Sequence, residues 1–92
     1  ANIRDRLFLG DKPLRYTDDA VTFAGQAGYA RLGGAVPVRL MVIGGSVTAG
    51  GITLASPGAA ALSYDGNTVT VHGAPATVKL TQAMQGVEVK IE

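Results

Sequence analysis

One histidine, a few hydroxyls and a handful of carboxylates are the groups in this chain that could do chemistry. His72 is the sole imidazole, and there is no cysteine. Disulfides and thiolate metal sites are excluded, and so is a multi-histidine site within one copy. Ser46 lies in Gly44-Gly45-Ser46-Val47-Thr48. A nucleophile elbow needs glycine where Thr48 stands, and only His72 could serve as its base. Asp18-Asp19 offers two adjacent carboxylates. Calcium takes about six to eight oxygen ligands and the EF-hand spacing is absent, so a solvated turn accounts for the pair. Asp65-Gly66-Asn67 carries oxygens suited to a cation, yet hairpin geometry explains the same residues. Gly44-Gly45 and Gly50-Gly51 could cradle a phosphate, but a Walker loop requires a lysine after its last glycine. No lysine occurs between Lys12 and Lys79. Turns and close packing explain these glycine pairs. The sequence therefore predicts a non-enzyme, with no catalytic residue, no cofactor and no metal.

The charges point to protein rather than nucleic acid. The formal net charge is +1, too balanced for a protein that binds through a phosphate footprint. Arg4, Arg6, Lys12, Arg15, Arg31 and Arg39 place six of the eight basic residues in the first 39 positions. Asp5, Asp11, Asp18 and Asp19 offset four of them. A mixed, solvated face is the plain explanation, and a docking surface for an acidic neighbour is the functional one. Phe8, Tyr16, Phe23, Tyr29 and Tyr64 stand in apolar alternation, which favours core packing over an exposed stacking platform.

The elements that must position these groups read as strands. Ile3, Leu7 and Leu9 alternate with polar positions, and Leu14 to Thr17 forms a second short strand. Val21 and Phe23 share a face. Gly25 to Gly28 reads as a loop, and Tyr29 to Leu32 as a strand. Val36, Val38, Leu40 and Val42 form the longest alternating run, with Pro37 placed where a strand starts or lies at an edge. By Met41 and Ile43 both faces are apolar, which predicts a covered interior. Ile52 and Leu54 alternate, and Ser56-Pro57-Gly58 reads as the turn that ends that segment.

Leu62 and Tyr64 lead into the strongest hairpin signal. A two-residue turn at Asp65-Gly66 sets Leu62 opposite Val69. One at Gly66-Asn67 sets Tyr64 opposite Val69 and Leu62 opposite Val71. A three-residue loop would mix the faces. Gly73-Ala74-Pro75 reads as a turn, Val78 and Leu80 alternate, and Gln82 to Gln85 is a loop or one helical turn. Val87 to Glu92 alternates aliphatic residues with Glu88, Lys90 and Glu92, a pattern that discourages unwanted edge pairing. No window sustains helical periodicity. The expected fold is a small antiparallel β-sandwich or barrel of about seven to nine short strands, without substantial helix. Residues 1–92 fit one domain.

Leu40 to Tyr64 contains no charged residue. It has the length of a membrane span, but its glycines and Pro57 break it into short apolar bursts, so no membrane contact is expected. Charged residues are 16% of the chain, below the roughly 25% of typical domains. Hydrophobic residues at 47% exclude disorder by composition. So small a domain lacking disulfide and metal is expected to gain stability by oligomerising. Large uncharged surfaces commonly mark interfaces.

These features predict a structural or assembly protein that joins a homo-oligomer and a larger protein assembly. Met41, Ile43, Val47, Ile52 and Leu54 would pack partly against a neighbouring subunit. Arg4, Arg6 and Arg15 would address an acidic neighbour. In composition and class the chain is similar to bacteriophage virion components such as capsid decoration or tail proteins. Residues 1–20 carry eight charged residues and no uninterrupted apolar core, so no secretory signal is legible. Cytosolic synthesis of a small complete protein is expected, followed by placement in a virion or other extracellular assembly. The alternative is a carbohydrate- or protein-binding β-module of a larger surface protein. That alternative predicts Tyr16, Tyr29 or Tyr64 exposed and clustered at one end.

Overall fold

A computed structural model describes residues 4–9, 12–15, 21–33, 37–73, 75–82 and 85–92, the first two stretches by their backbone alone. The described residues form nine strands: β1 (Arg4–Leu9), β2 (Lys12–Arg15), β3 (Thr22–Ala24), β4 (Ala27–Leu32), β5 (Val38–Ala49), β6 (Ile52–Tyr64), β7 (Thr68–Gly73), β8 (Thr77–Leu80) and β9 (Glu88–Ile91). They join one sheet in the order β2-β1-β4-β5-β6-β7-β9, with β3 on β5 and β8 on β6. The chain is all-β, as its alternation predicts. Among the described residues no helix is long and apolar enough to cross a membrane. Asp18, Asp19 and Tyr16 lie outside the described residues.

Two long strands organise everything else. β5 has 12 residues and β6 has 13, where the sequence suggested shorter pieces. The first half of β5 pairs with β4, and its second half pairs with β3. β6 likewise pairs with β8 along its first half and with β7 along its second. Between the halves, Gly44 alone faces Pro57 and Gly58, because Ile43 pairs with Ala59 and Gly45 with Ser56. Such a bulge bends and twists a strand without ending it. Ser56-Pro57-Gly58 is therefore a corner inside β6, which corrects its reading as a turn. Gly25-Gln26, between β3 and β4, is the matching bend on the neighbouring strand, and the N–H of Gln26 donates to the Ile43 carbonyl at 3.1 Å. The β7–β8 connection through Gly73 and Pro75 completes the line of corners.

The sheet thus folds over on itself, and the core forms between its halves. Ala30, Val38, Leu40, Val42, Ala60, Leu62, Val69 and Val71 come from one half, and Val47, Ala49, Ile52 and Leu54 from the other. All twelve are buried. Each large aliphatic side chain buried here contributes about 1.5–3 kcal/mol. Phe23, Tyr64, Val78 and Leu80 pack against this cluster, as the alternation of these residues implies. The buried positions of β5 change from even (Val38, Leu40, Val42) to odd (Val47, Ala49) across the bulge. Without a bulge, that change of parity would put one half's apolar set in water.

The β6–β7 hairpin takes the register with Gly66-Asn67 at its tip: Tyr64 faces Val69 and Leu62 faces Val71. Asp65 fixes it. Its Oδ1 accepts from the N–H groups of Asn67 and Thr68 at 2.8 and 2.9 Å, and the Tyr64 hydroxyl donates to the Gly66 carbonyl at 3.0 Å. The Gln85 N–H donates to the Gln82 carbonyl at 3.2 Å; residues 83 and 84 lie outside the described residues.

β9 departs from expectation twice. It pairs with β7 in parallel, where an antiparallel arrangement was expected. It is also exposed on both faces, with Val89 37% and Ile91 68% accessible. Its aliphatic residues sit in register with core residues Val69 and Val71, but at the margin of the sheet nothing among the described residues covers them.

Candidate functional site

The outer surface of the longer half-sheet carries the apolar area that the core does not use. Side chains alternate across a strand, so burying Leu40 and Val42 turns Met41 and Ile43 outward. Met41 is 43% and Ile43 38% accessible. Among the described residues nothing covers the outer face of β5 at Met41 and Ile43, which corrects the expected interior covered on both faces. Register lines Met41 up with Tyr29 on one side and Ala61 on the other, and Ala61 with His72. Ile43 lines up with Ala27 and Ala59.

Ala59 and Ala61 have almost no bulk, so Met41 and His72 rise as walls around an alanine floor. Two adjoining grooves result. One of about 450 Å³ is bordered by Tyr29, Arg39, Met41, Ser63 and His72. The other, of about 250 Å³, lies over Ala59 and Ala61 between Met41 and His72. The rim is polar. His72 Nδ1 lies 3.5 Å from Glu92 Oε1, both side chains being exposed. Arg39 is exposed and pairs across the ladder with Arg31.

Of the apolar residues expected at an interface, the structure brings only Met41 and Ile43 to the surface. Val47, Ile52 and Leu54 are fully buried in the chain's own core. They have no area left to offer a neighbour, which corrects their assignment to one. The side chains of Arg4, Arg6 and Arg15 lie outside the described residues. Sequence reasoning passed over Ala59 and Ala61 because alanine carries little β signal. Their odd-numbered alternation opposite Met41 and Ile43 was the available clue.

A third groove, of about 540 Å³, runs along the line of corners beside Gly25, Gly44, Gly45, Ser46, Ser56 and Thr77. Its buried hydroxyl is committed. Ser56 Oγ donates to the Pro75 carbonyl at 3.0 Å and accepts from the Gly58 N–H at 3.1 Å. These bonds satisfy backbone groups that a bulge leaves without ladder partners. Ser46 borders this groove, whereas His72 borders the other two. Among the described residues no three His, Asp or Glu side chains are grouped to hold a metal ion.

What this arrangement offers is contact. It has an alanine floor, walls of Met41 and His72, the exposed Ile43 beside them, one tyrosine and a charged rim. Comparison with protein families, with curated proteins and with solved structures finds no significant match.

Proposed function

We propose that this chain is a non-catalytic structural protein that assembles with other protein subunits through the outer face around Met41 and Ile43. In its specific form the proposal is a small oligomeric virion component, a bacteriophage capsid decoration or tail protein. The observation that carries the assembly reading is the exposure of Met41 and Ile43 side by side on an alanine floor. Contiguous apolar area of this kind marks contact surfaces. Methionine and arginine, here Met41 and Arg39, are enriched at interfaces while lysine and glutamate are depleted. The low charge content of 16% and the absence of charge from Leu40 to Tyr64 support the same reading.

A carbohydrate-binding module would present its tyrosines together. Tyr29 lies on the outer face beside Met41, whereas Tyr64 packs against the core from the inner face. These two tyrosines do not share a platform.

Light scattering across a concentration series tests the assembly reading. The wild type is expected to show species heavier than one chain. Met41→Asp combined with Ile43→Asp is expected to lower the mass at the same concentration. Both positions are exposed, so the fold is retained, as far-ultraviolet circular dichroism will report. A wild type that stays one chain at every concentration overturns the proposal.

A further inference from the structure

Among the described residues β9 is the end of the sheet path, and its backbone shows which groups are left unpaired there. The N–H of Glu92 donates to the Val71 carbonyl at 2.8 Å, and Val69 and Val71 stand in parallel register with Val89 and Ile91. Successive backbone units point to opposite sides of a strand. Glu88, Lys90 and Glu92 therefore turn their N–H and C=O groups toward β7, and Val89 and Ile91 turn theirs to the open edge. An unpaired edge is a template for another strand. This one also carries two aliphatic side chains that the core leaves in water, Val89 and Ile91.

The sequence of the edge selects the occupant. We propose that β9 pairs with β9 of a second copy of this chain, antiparallel about a twofold axis at Val89, so that the two sheets run on as one. In that register Val89 meets the partner's Val89, and Ile91 meets the partner's Val87. On the opposite face Glu88 meets the partner's Lys90, and Lys90 meets the partner's Glu88. The odd-numbered residues form the hydrogen-bonded pairs, as their outward backbone groups require. The aliphatic residues share one face and the opposite charges share the other.

Other twofold registers lose this match. An axis at Lys90 sets lysine against lysine and Glu88 against the partner's Glu92. One at Glu88 sets glutamate against glutamate. One at Ile91 keeps an opposite-charge pair, Lys90 with the partner's Glu92, but moves Val89 away from its mate, so cysteine cross-links at Val89 and Ile91 distinguish it. Offsets by one residue oppose outward to inward backbone groups. The charge alternation that guards this edge in the registers centred on Glu88 and Lys90 is thus self-complementary in the one centred on Val89. This surface is separate from the face around Met41 and Ile43, and the inference does not depend on that reading.

Charge reversal and cross-linking test it together. The wild type is expected to sediment as a dimer. Glu88→Lys places like charges opposite each other in both pairs and should weaken the dimer by roughly tenfold or more. Adding Lys90→Glu to that variant restores opposite charges and should restore the dimer. Val89→Cys introduces the only thiol. Its Cα would lie about 5.5 Å from that of its mate, within disulfide reach, so mild oxidation should link two chains. Ile91→Cys places its thiols about 13 Å apart, four residues along the strand, and should not link. Met41→Asp with Ile43→Asp should leave the Val89→Cys cross-link intact, which separates this inference from the outer-face proposal. Any of three results overturns it: a double charge reversal that fails to restore the dimer, cross-linking of Ile91→Cys as readily as Val89→Cys, or open-ended oligomers formed through this edge instead of dimers.

Discussion

Gly44-Gly45 lies inside β5 and Gly50-Gly51 just past its end, six positions further on, and the two pairs do opposite things. At Gly50-Gly51 the chain reverses, and β5 hands over to β6. At Gly44-Gly45 it bends and continues. The difference lies in what approaches each pair. A Cβ on Gly45 would collide with the Ala24 carbonyl and lie 2.5 Å from Gly25 Cα. Backbone from another strand crosses there. Gly50 has φ +60°, and a Cβ on it would meet side-chain atoms, Val38 Cγ2 at 2.8 Å and Leu32 Cδ2 at 3.2 Å. One pair exists to let two backbones touch, the other to let one backbone turn.

Substitutions can break that contrast. Gly45→Ala should have the largest effect, about 3 kcal/mol or more, because backbone atoms cannot rotate out of the way as a side chain can. Chemical denaturation will measure it, and a loss under about 1 kcal/mol would mean the corner is not closely crossed. Gly50→Ala should cost about 2 kcal/mol in the same assay, combining the positive φ with the contact to Val38. Gly66→Ala isolates the backbone cost alone. Its φ is +101° and nothing lies within 4 Å of the added Cβ, so about 1 kcal/mol is expected.

The smallest effect belongs to Asp65, at the other true reversal. The N–H groups of Thr68 and Asn67 hold its carboxyl below the ordinary value of 3.8. A carboxylate favoured in the folded state contributes its stability above the ordinary value and loses it as pH falls through the lowered one. Thermal unfolding of the wild type should therefore show a small stability loss below about pH 4 that is diminished in Asp65→Asn. The asparagine oxygen can still accept both bonds but does not titrate. An identical acid dependence in the two proteins would remove Asp65 as the cause.

The candidate site was half legible in advance. Met41 and Ile43 stood out because Val38, Leu40 and Val42 claimed the other face of the strand. Val47, Ile52 and Leu54 share their chemistry, and only the fold-over decides that these three are consumed by the core. The alanine floor was hidden because it works by lacking bulk. The edge proposed to dimerise was hidden because charge alternation reads as repulsion until the strand's direction is known.

By itself the sequence determined the all-β class, the places of most strands and the two registers open to the Asp65 hairpin. Those depend on alternation and on turn chemistry within a few residues of chain. Tertiary structure alone decided which glycines bend and which reverse, which apolar residues stay outside, and that β9 runs parallel at an open edge. Each of these turns on atoms distant in sequence: Ala24 against Gly45, Pro57-Gly58 against Gly44, and β7 beside β9. Local chemistry sets what a segment can do, and the neighbour that the fold brings to it selects which of those things it does.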